Sequence, residues 1–208
     1  MKLTPKEIDT IKTYNLNASE WTVKHSTKDF WGKEMRRFHD LLPSGNILEI
    51  GCGGGRDAKE LIEYRYDYIG IDASEELLKE AKKACPNATF LHQSIYELDF
   101  PENYFDGFWT SATLLHIPKN RIDEALVKIK NIVKSNGIGF ISIKKGKGEK
   151  VEEDEPEMED KKPRLFSYYQ EKEFNEILER NNFEIIGFKE RPMSEKTIWL
   201  VYFVKARK

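Results

Sequence analysis

Cysteine is scarce. Two residues in 208, Cys52 and Cys85, are too few for a disulfide framework or a cysteine-based zinc site. Net charge is nearly absent: 34 basic residues stand against 36 acidic ones, a balance of −2, and that total gives no sign of a chain that coats nucleic acid. Long apolar runs are missing, so no membrane span is expected, and the N-terminus carries no apolar signal segment. Four histidines, His25, His39, His92 and His116, have neither H-x-x-x-H spacing nor a cysteine partner, which speaks against a metal site. No internal repeat is visible. A reducing cytoplasm is the expected compartment, and the length suits a single domain spanning 1–208.

What is present centres on Ile47-Leu48-Glu49-Ile50-Gly51-Cys52-Gly53-Gly54-Gly55-Arg56-Asp57. Ile47 to Ile50 reads as a buried parallel strand with one acid in it. A glycine-rich turn follows, and then Ala58, Leu61, Ile62 and Arg65 at helical spacing. Glycines allow a sharp turn and let a ligand lie against the backbone with no Cβ in the way. The free N–H groups of the following helix point at that ligand. Spacing is G-x-G-x-G rather than G-x-G-x-x-G, and the Lys-Ser/Thr of a P-loop is missing. Cys52 within the turn reads as packing. The next strand, Tyr68-Ile69-Gly70-Ile71-Asp72, ends in an acid about twenty residues beyond the glycines, where a carboxylate can accept hydrogen bonds from both hydroxyls of a ribose. A helix cap is the plainer role for Asp72, but Ser74 fills that role more naturally.

These two blocks, together with Phe100-Pro101-Glu102-Asn103-Tyr104-Phe105-Asp106-Gly107 and Leu114-Leu115-His116-Ile117-Pro118, resemble the class I S-adenosylmethionine-dependent methyltransferases. The resemblance is strong from Asn46 to Lys145 and looser to Lys208. It implies an α/β fold: a Rossmann-like, doubly wound, seven-stranded sheet of order 3-2-1-4-5-7-6, strand seven antiparallel. An N-terminal helical cap (1–43) would precede the core (44–208), which carries a charged loop at 144–164. It also implies that Glu49, Gly51, Gly53, Gly55 and Arg56 surround the methionyl part of S-adenosylmethionine, and that Asp72 with Ala73 holds the ribose. Gln93, Ser94 and Ile95 would read the adenine, and Thr110 would be a further cofactor-side residue. Gln93-Ser94 replaces the family's usual Gly-Asp, which shifts the adenine contact towards the backbone N–H groups of Ser94 and Ile95.

Along the chain, Thr4-Pro5-Lys6-Glu7 is a capping box that opens a helix to about Thr13. Ser26-Thr27-Lys28-Asp29 predicts a second, with Phe30, Trp31, Met35, Phe38 and Leu42 on one face, ending at Pro43-Ser44-Gly45. Tyr14 and Trp21 lie between them. They are either a lid over the cofactor or packing for the cap. Ser74 caps a helix that Pro86-Asn87 ends, and Ala88 to Leu91 reads as strand three. Phe105 to Thr110 is strand four. Pro118 opens a helix with Ile122, Leu126, Ile129 and Val133 inward, Asn136-Gly137 ends it, and Ile138 to Ile143 is strand five. The acidic run from Glu149 to Asp160 reads as a solvated loop, and by its place a flap. Ser167-Tyr168-Tyr169-Gln170 leads into a helix carrying Phe174, Ile177 and Leu178. Phe183 to Phe188 and Ile198 to Phe203 form a terminal strand pair.

The expected activity is direct in-line transfer of a methyl group from S-adenosylmethionine to a small molecule, which needs positioning rather than a metal or a covalent intermediate. His116 is the candidate general base, with a structural or cofactor-side role as the plainer alternative. Tyr14, Trp21, Tyr168 and Tyr169 are the candidate acceptor side, with Trp109 also expected on the pocket side. Arg164 contacts an anionic group or is a surface charge, the second being favoured. The rivals are a tRNA-modifying methyltransferase, since some tRNA wobble-base enzymes are similar in the glycine and Leu-x-His blocks and Lys144, Lys145 and Lys147 add a short basic patch, and a non-catalytic cofactor-binding regulatory subunit. The eight acids between Glu149 and Asp160 would repel phosphate and weigh against the first.

Overall fold

The computed structural model describes residues 2–152 and 163–208. Three helices come first: α1 (Pro5–Leu16), α2 (Ala18–Lys24) and α3 (Gly32–Leu41). The core then alternates β1 (Asn46–Ile50), α4 (Arg56–Glu63), β2 (Asp67–Asp72), α5 (Glu75–Ala84), β3 (Thr89–His92), β4 (Phe105–Ser111), α6 (Ile122–Ile132) and β5 (Val133–Lys144). The rest comprises β6 (Glu149–Glu152), β7 (Arg164–Ser167), α7 (Glu171–Arg180), β8 (Phe183–Pro192) and β9 (Ile198–Ala206).

Seven strands form one sheet in the order β3-β2-β1-β4-β5-β9-β8. The first five pair in parallel, and β9 runs antiparallel to both β5 and β8. Counted along this sheet alone, that is the expected 3-2-1-4-5-7-6. Side chains alternate between two cores, as strands buried on both faces require. Leu48, Phe108 and Ile141 join α6 and α7 on one face. Ile47, Trp109 and Phe140 join α3, α4 and α5 on the other. The loops from β1 and β4 leave the carboxyl edge on opposite sides of the switch point, and a crevice opens there.

Four expectations change. The helix expected after Ser26 starts at Gly32 instead, with Trp31 as a cap residue that makes no side-chain capping bond. Ser26 donates its hydroxyl to the Val23 carbonyl at 2.7 Å, closing α2 rather than opening α3. Tyr14 to Trp21 is helical, split between α1 and α2. Asn136-Gly137 does not stop a helix: Val133 already pairs with Phe105, and the register shifts before Gly107 meets Ile138. Asn136 takes φ 65° in that irregularity, a left-handed conformation asparagine tolerates. Finally, Glu149 to Glu152 is a strand, β6, antiparallel to β7. The remainder of the acidic run, and with it the proposed flap, lies outside the described residues.

Candidate active site

The crevice is a cavity of about 740 Å³ walled by the carboxyl ends of β1, β2 and β4 and roofed by α1 and α2. That size falls within the usual range for ligand sites, about 300–1,000 Å³.

Its floor is the turn after β1. Gly51, Gly53 and Gly55 all have positive φ, 75°, 53° and 82°. Their surroundings differ. A Cβ on Gly53 would meet nothing within 4 Å, so this residue borders the open cavity. A Cβ on Gly51 would lie 2.1 Å from Thr113 Oγ1, so Gly51 lets the loop after β4 close on the turn. Gly55 does not line the cavity: a Cβ there would sit 3.1 Å from the Ala81 backbone, so this glycine serves the approach of α4 to α5.

Asp72 completes the floor. Its Oδ2 accepts the Gly53 N–H and its Oδ1 the Ser74 N–H, each at 2.8 Å. Burial raises its pKa above the ordinary carboxylate value, and the two N–H bonds work against that rise. Each oxygen keeps a further lone pair for a donor in the cavity. Ser74 meanwhile caps α5 through the Leu77 N–H. Beside Asp72 lie Ala73, Gln93, Ser94 and Ile95, all on the cavity wall. Ser94 Oγ accepts the Tyr96 N–H. Gln93 Oε1 is buried with no hydrogen-bond partner among the described residues. Glu49, next to the turn, accepts a bond from the Tyr68 hydroxyl. Burial, then the neighbouring Asp57, push its carboxyl well above the usual range.

The other end of the cavity is aromatic. Tyr14 Oη lies 2.8 Å from His116 Nε2 and accepts Arg164 Nη1 at 2.9 Å. His116 Nδ1 lies 2.6 Å from the Leu165 carbonyl, which can only accept, so Nδ1 carries the hydrogen and Nε2 receives the Tyr14 proton. Tyr14 meets Trp21 edge-on at 5.0 Å, and Trp21 stacks on His25 at 3.6 Å. Burial, together with Arg56, Lys24 and Arg164, lowers the pKa of His25 to about 4 despite its bond to the Trp21 carbonyl.

Several expected residues fall elsewhere. Thr110 is fully buried and off the cavity, because alternation along β4 turns it to the Phe108 face while Ser111 faces the site. Trp109 lies beneath the site, stacked on Phe140 at 3.7 Å and donating to Asp57 at 3.0 Å. Tyr169 is fully buried against Phe174 in the α7 core, and Tyr168 bonds Glu152 beside β6; neither lines the cavity. Arg164 is not a surface charge. It is 3% exposed, and its guanidinium lies 4.8 Å from Trp21 and 5.2 Å from both Tyr14 and Phe166. Arg56 pairs with Asp57 at 2.5 Å and covers the Phe30 ring at 4.6 Å. The sequence reading missed Phe30, Trp31, Ser111, Phe166 and Trp199 as cavity residues. For Ser111 the signal was available in the two-residue period of β4. Among the described residues no group of three or more His, Cys, Asp or Glu could hold a metal ion, and no helix is long and apolar enough to cross a membrane.

A mostly parallel sheet of this order, with a glycine turn and an acid at the ends of its first two strands, is the arrangement seen in nucleoside-binding α/β proteins. Residues 47–137 match the methyltransferase domain family, and over that stretch the chain is similar to S-adenosylmethionine-dependent methyltransferases. It is 29% identical over 120 residues to an uncharacterized methyltransferase of Synechocystis, covering 54% of this chain and 56% of that one. It is 31% identical over 86 residues to a trans-aconitate 2-methyltransferase of Afipia carboxidovorans, covering 37% of this chain and 33% of that one. The chain spans about half the length of the first curated relatives it matches. In fold it is similar to 1,6-didemethyltoxoflavin-N1-methyltransferase of Burkholderia thailandensis, solved with 1,6-didemethyltoxoflavin and S-adenosylhomocysteine. The TM-score is 0.79, at 18% identity, over 100% of this chain and 93% of that one.

Proposed function

We propose that the protein transfers a methyl group directly from S-adenosylmethionine to a small-molecule acceptor enclosed under the N-terminal helices. The observation that carries this reading is one cavity with two unlike ends. At one end Asp72, the open face of Gly53 and the orphaned Gln93 oxygen stand together. At the other, Tyr14, His116 and Arg164 form a hydrogen-bonded set among aromatic rings. The named activities of the relatives, on trans-aconitate and on 1,6-didemethyltoxoflavin, support a small acceptor.

The residues fit the cofactor. Asp72 suits the ribose hydroxyls, Gln93 Oε1 suits an adenine amine, and Gly53 leaves room for the methionyl part. When bound, S-adenosylmethionine supplies a methyl group already activated by a sulfonium. The protein's own work is then orientation and proton handling. Holding two reactants in a near-attack pose can lower the barrier by about 7–11 kcal/mol. The Tyr14 hydroxyl can pass its proton to His116 Nε2 while Arg164 stabilises the phenolate oxygen. His116 therefore acts through Tyr14, and a protic acceptor gives its proton to the Tyr14 oxygen.

Calorimetric titration with S-adenosylhomocysteine, followed by transfer of labelled methyl to a panel of small molecules and to bulk tRNA, tests the reading. Tight cofactor binding with label in a small molecule is expected. No cofactor binding, or label only in tRNA, would overturn it.

A further inference from the structure

Ser111 is the last residue of β4, at the carboxyl edge of the sheet where the cavity opens. On one side β4 pairs with β1, which leads into the glycine turn, and on the other Ser111 itself pairs with Ser142 of β5. Its hydroxyl oxygen accepts two hydrogen bonds, from Trp31 Nε1 at 2.7 Å and from Arg56 Nη2 at 3.4 Å. A serine hydroxyl has two acceptor lone pairs and one proton. Both lone pairs are engaged by donors, so the proton is what Ser111 has left to offer, and Ser111 lines the cavity.

The surroundings are flat rings. Trp31 meets Phe30 edge-on at 5.0 Å and Trp199 at 6.0 Å, and all three line the cavity. The Arg56 guanidinium covers Phe30 and is itself paired with Asp57. An ammonium-bearing acceptor would meet a hydroxyl proton and a guanidinium here, both unfavourable. A polyol would leave the ring walls without a partner and strand its own hydroxyls against them.

We propose that Ser111 selects and orients the methyl acceptor by donating its hydroxyl hydrogen to a ring nitrogen or carbonyl oxygen of a planar aromatic compound held among Phe30, Trp31 and Trp199. This rests on the methyl-transfer reading and names the acceptor class. It differs from that reading in what it predicts for Ser111, which no part of the cofactor assignment uses.

The test is a matched pair of probes, quinoline and naphthalene, which share shape and differ in one ring nitrogen. Binding of each is followed by tryptophan fluorescence in the presence of saturating S-adenosylhomocysteine. Wild type is expected to favour quinoline, and Ser111→Ala to reduce that preference about threefold to tenfold, the range of one neutral hydrogen bond. Ser111→Thr, which keeps the hydroxyl, is expected to restore it. S-adenosylhomocysteine affinity, measured separately, should be the same in all three proteins, and circular dichroism reports that each is folded. An equal preference in wild type and Ser111→Ala would overturn the proposal, as would failure of both probes to bind a protein that binds S-adenosylhomocysteine. Loss of S-adenosylhomocysteine affinity in a folded Ser111→Ala would assign the residue to the cofactor end instead. If wild type itself fails to bind S-adenosylhomocysteine, the methyl-transfer reading falls and this proposal with it.

Discussion

Removing the carboxylate of Asp72 should separate the binding role of this residue from its structural one. In the free protein Asp72 already holds two backbone N–H groups, of Gly53 and Ser74, at 2.8 Å each. Hydrogen bonds to a charged group contribute about 1.5–3 kcal/mol each. Two ribose hydroxyls add two bonds of the same kind, so their loss is worth roughly 3–6 kcal/mol in binding before water competes. Asp72→Ala should therefore weaken S-adenosylhomocysteine affinity by at least about tenfold, the equivalent of only 1.4 kcal/mol. It should also lower the thermal midpoint, because the Gly53 and Ser74 N–H groups lose their acceptor at a partly buried site. Asp72→Asn keeps one oxygen for one of them and should retain more stability than affinity. Calorimetric titration beside thermal unfolding reads both quantities. A folded Asp72→Ala protein with wild-type affinity would refute the reasoning, since it would place the nucleoside elsewhere.

The glycine turn should respond position by position. Gly53→Ala meets open space but carries φ 53°, so it should cost only about 1–2 kcal/mol in stability while cutting S-adenosylhomocysteine affinity at least roughly tenfold; unaltered affinity would turn the open face away from the ligand. Gly51→Ala drives a Cβ onto Thr113, so thermal unfolding should show a loss exceeding that of Gly53→Ala. Tyr14→Phe should lower kcat by roughly a hundredfold with cofactor affinity nearly unchanged, and an unchanged kcat would remove the proton path. His25 has its pKa lowered from 6.5 to about 4 in the folded state, so the unfolded chain takes up the proton first. Its contribution is complete above 6.5 and is lost as pH falls towards 4; thermal midpoints of wild type and His25→Gln should converge over that window, with a slope of at most about 1.4 kcal/mol per pH unit, reduced by partial exposure. Filter binding across a salt series should show no submicromolar affinity for tRNA at physiological salt.

The sheet was legible because its signals are local. Ile47 to Ile50 and Phe105 to Thr110 are short apolar runs bounded by turn residues, and Ser74 and Thr4 are caps that act within one turn. The glycine turn and Asp72 were legible for the same reason, since spacing along the chain sets their meeting. The acceptor end was not, because it is assembled across long separations. Arg164 is buried only because α1 brings Tyr14 and α2 brings Trp21 over a strand that follows the acidic run. From its place just after the acidic run and Lys161-Lys162-Pro163, a surface position was the reasonable expectation. Tyr168 and Tyr169 were placed by resemblance alone, and the turn into α7 sends one to β6 and the other into the core. Thr110 failed on parity: a one-residue offset along a strand exchanges the faces.

Helix α1 ties the two ends together, and it does so with polar groups. Glu7 accepts the Tyr96 hydroxyl at 2.6 Å and Arg121 at 2.9 Å, beside the wall that carries Gln93. One turn on, Thr10 Oγ1 accepts the Leu165 N–H at 2.9 Å. Tyr14 follows at His116, and Asn15 accepts the Ser74 hydroxyl at 2.7 Å, next to Asp72. Positions 7, 10 and 14 share one helix face by spacing, and that face is the roof of the cavity. A roof held by apolar contact could settle at many offsets, because dispersion and burial are not directional. A roof held by hydrogen bonds settles at one, because each bond weakens steeply with distance and angle. The same helix whose Asn15 accepts from Ser74 beside Asp72 therefore also sets the Tyr14 oxygen against His116 and Arg164 at the other end of the cavity.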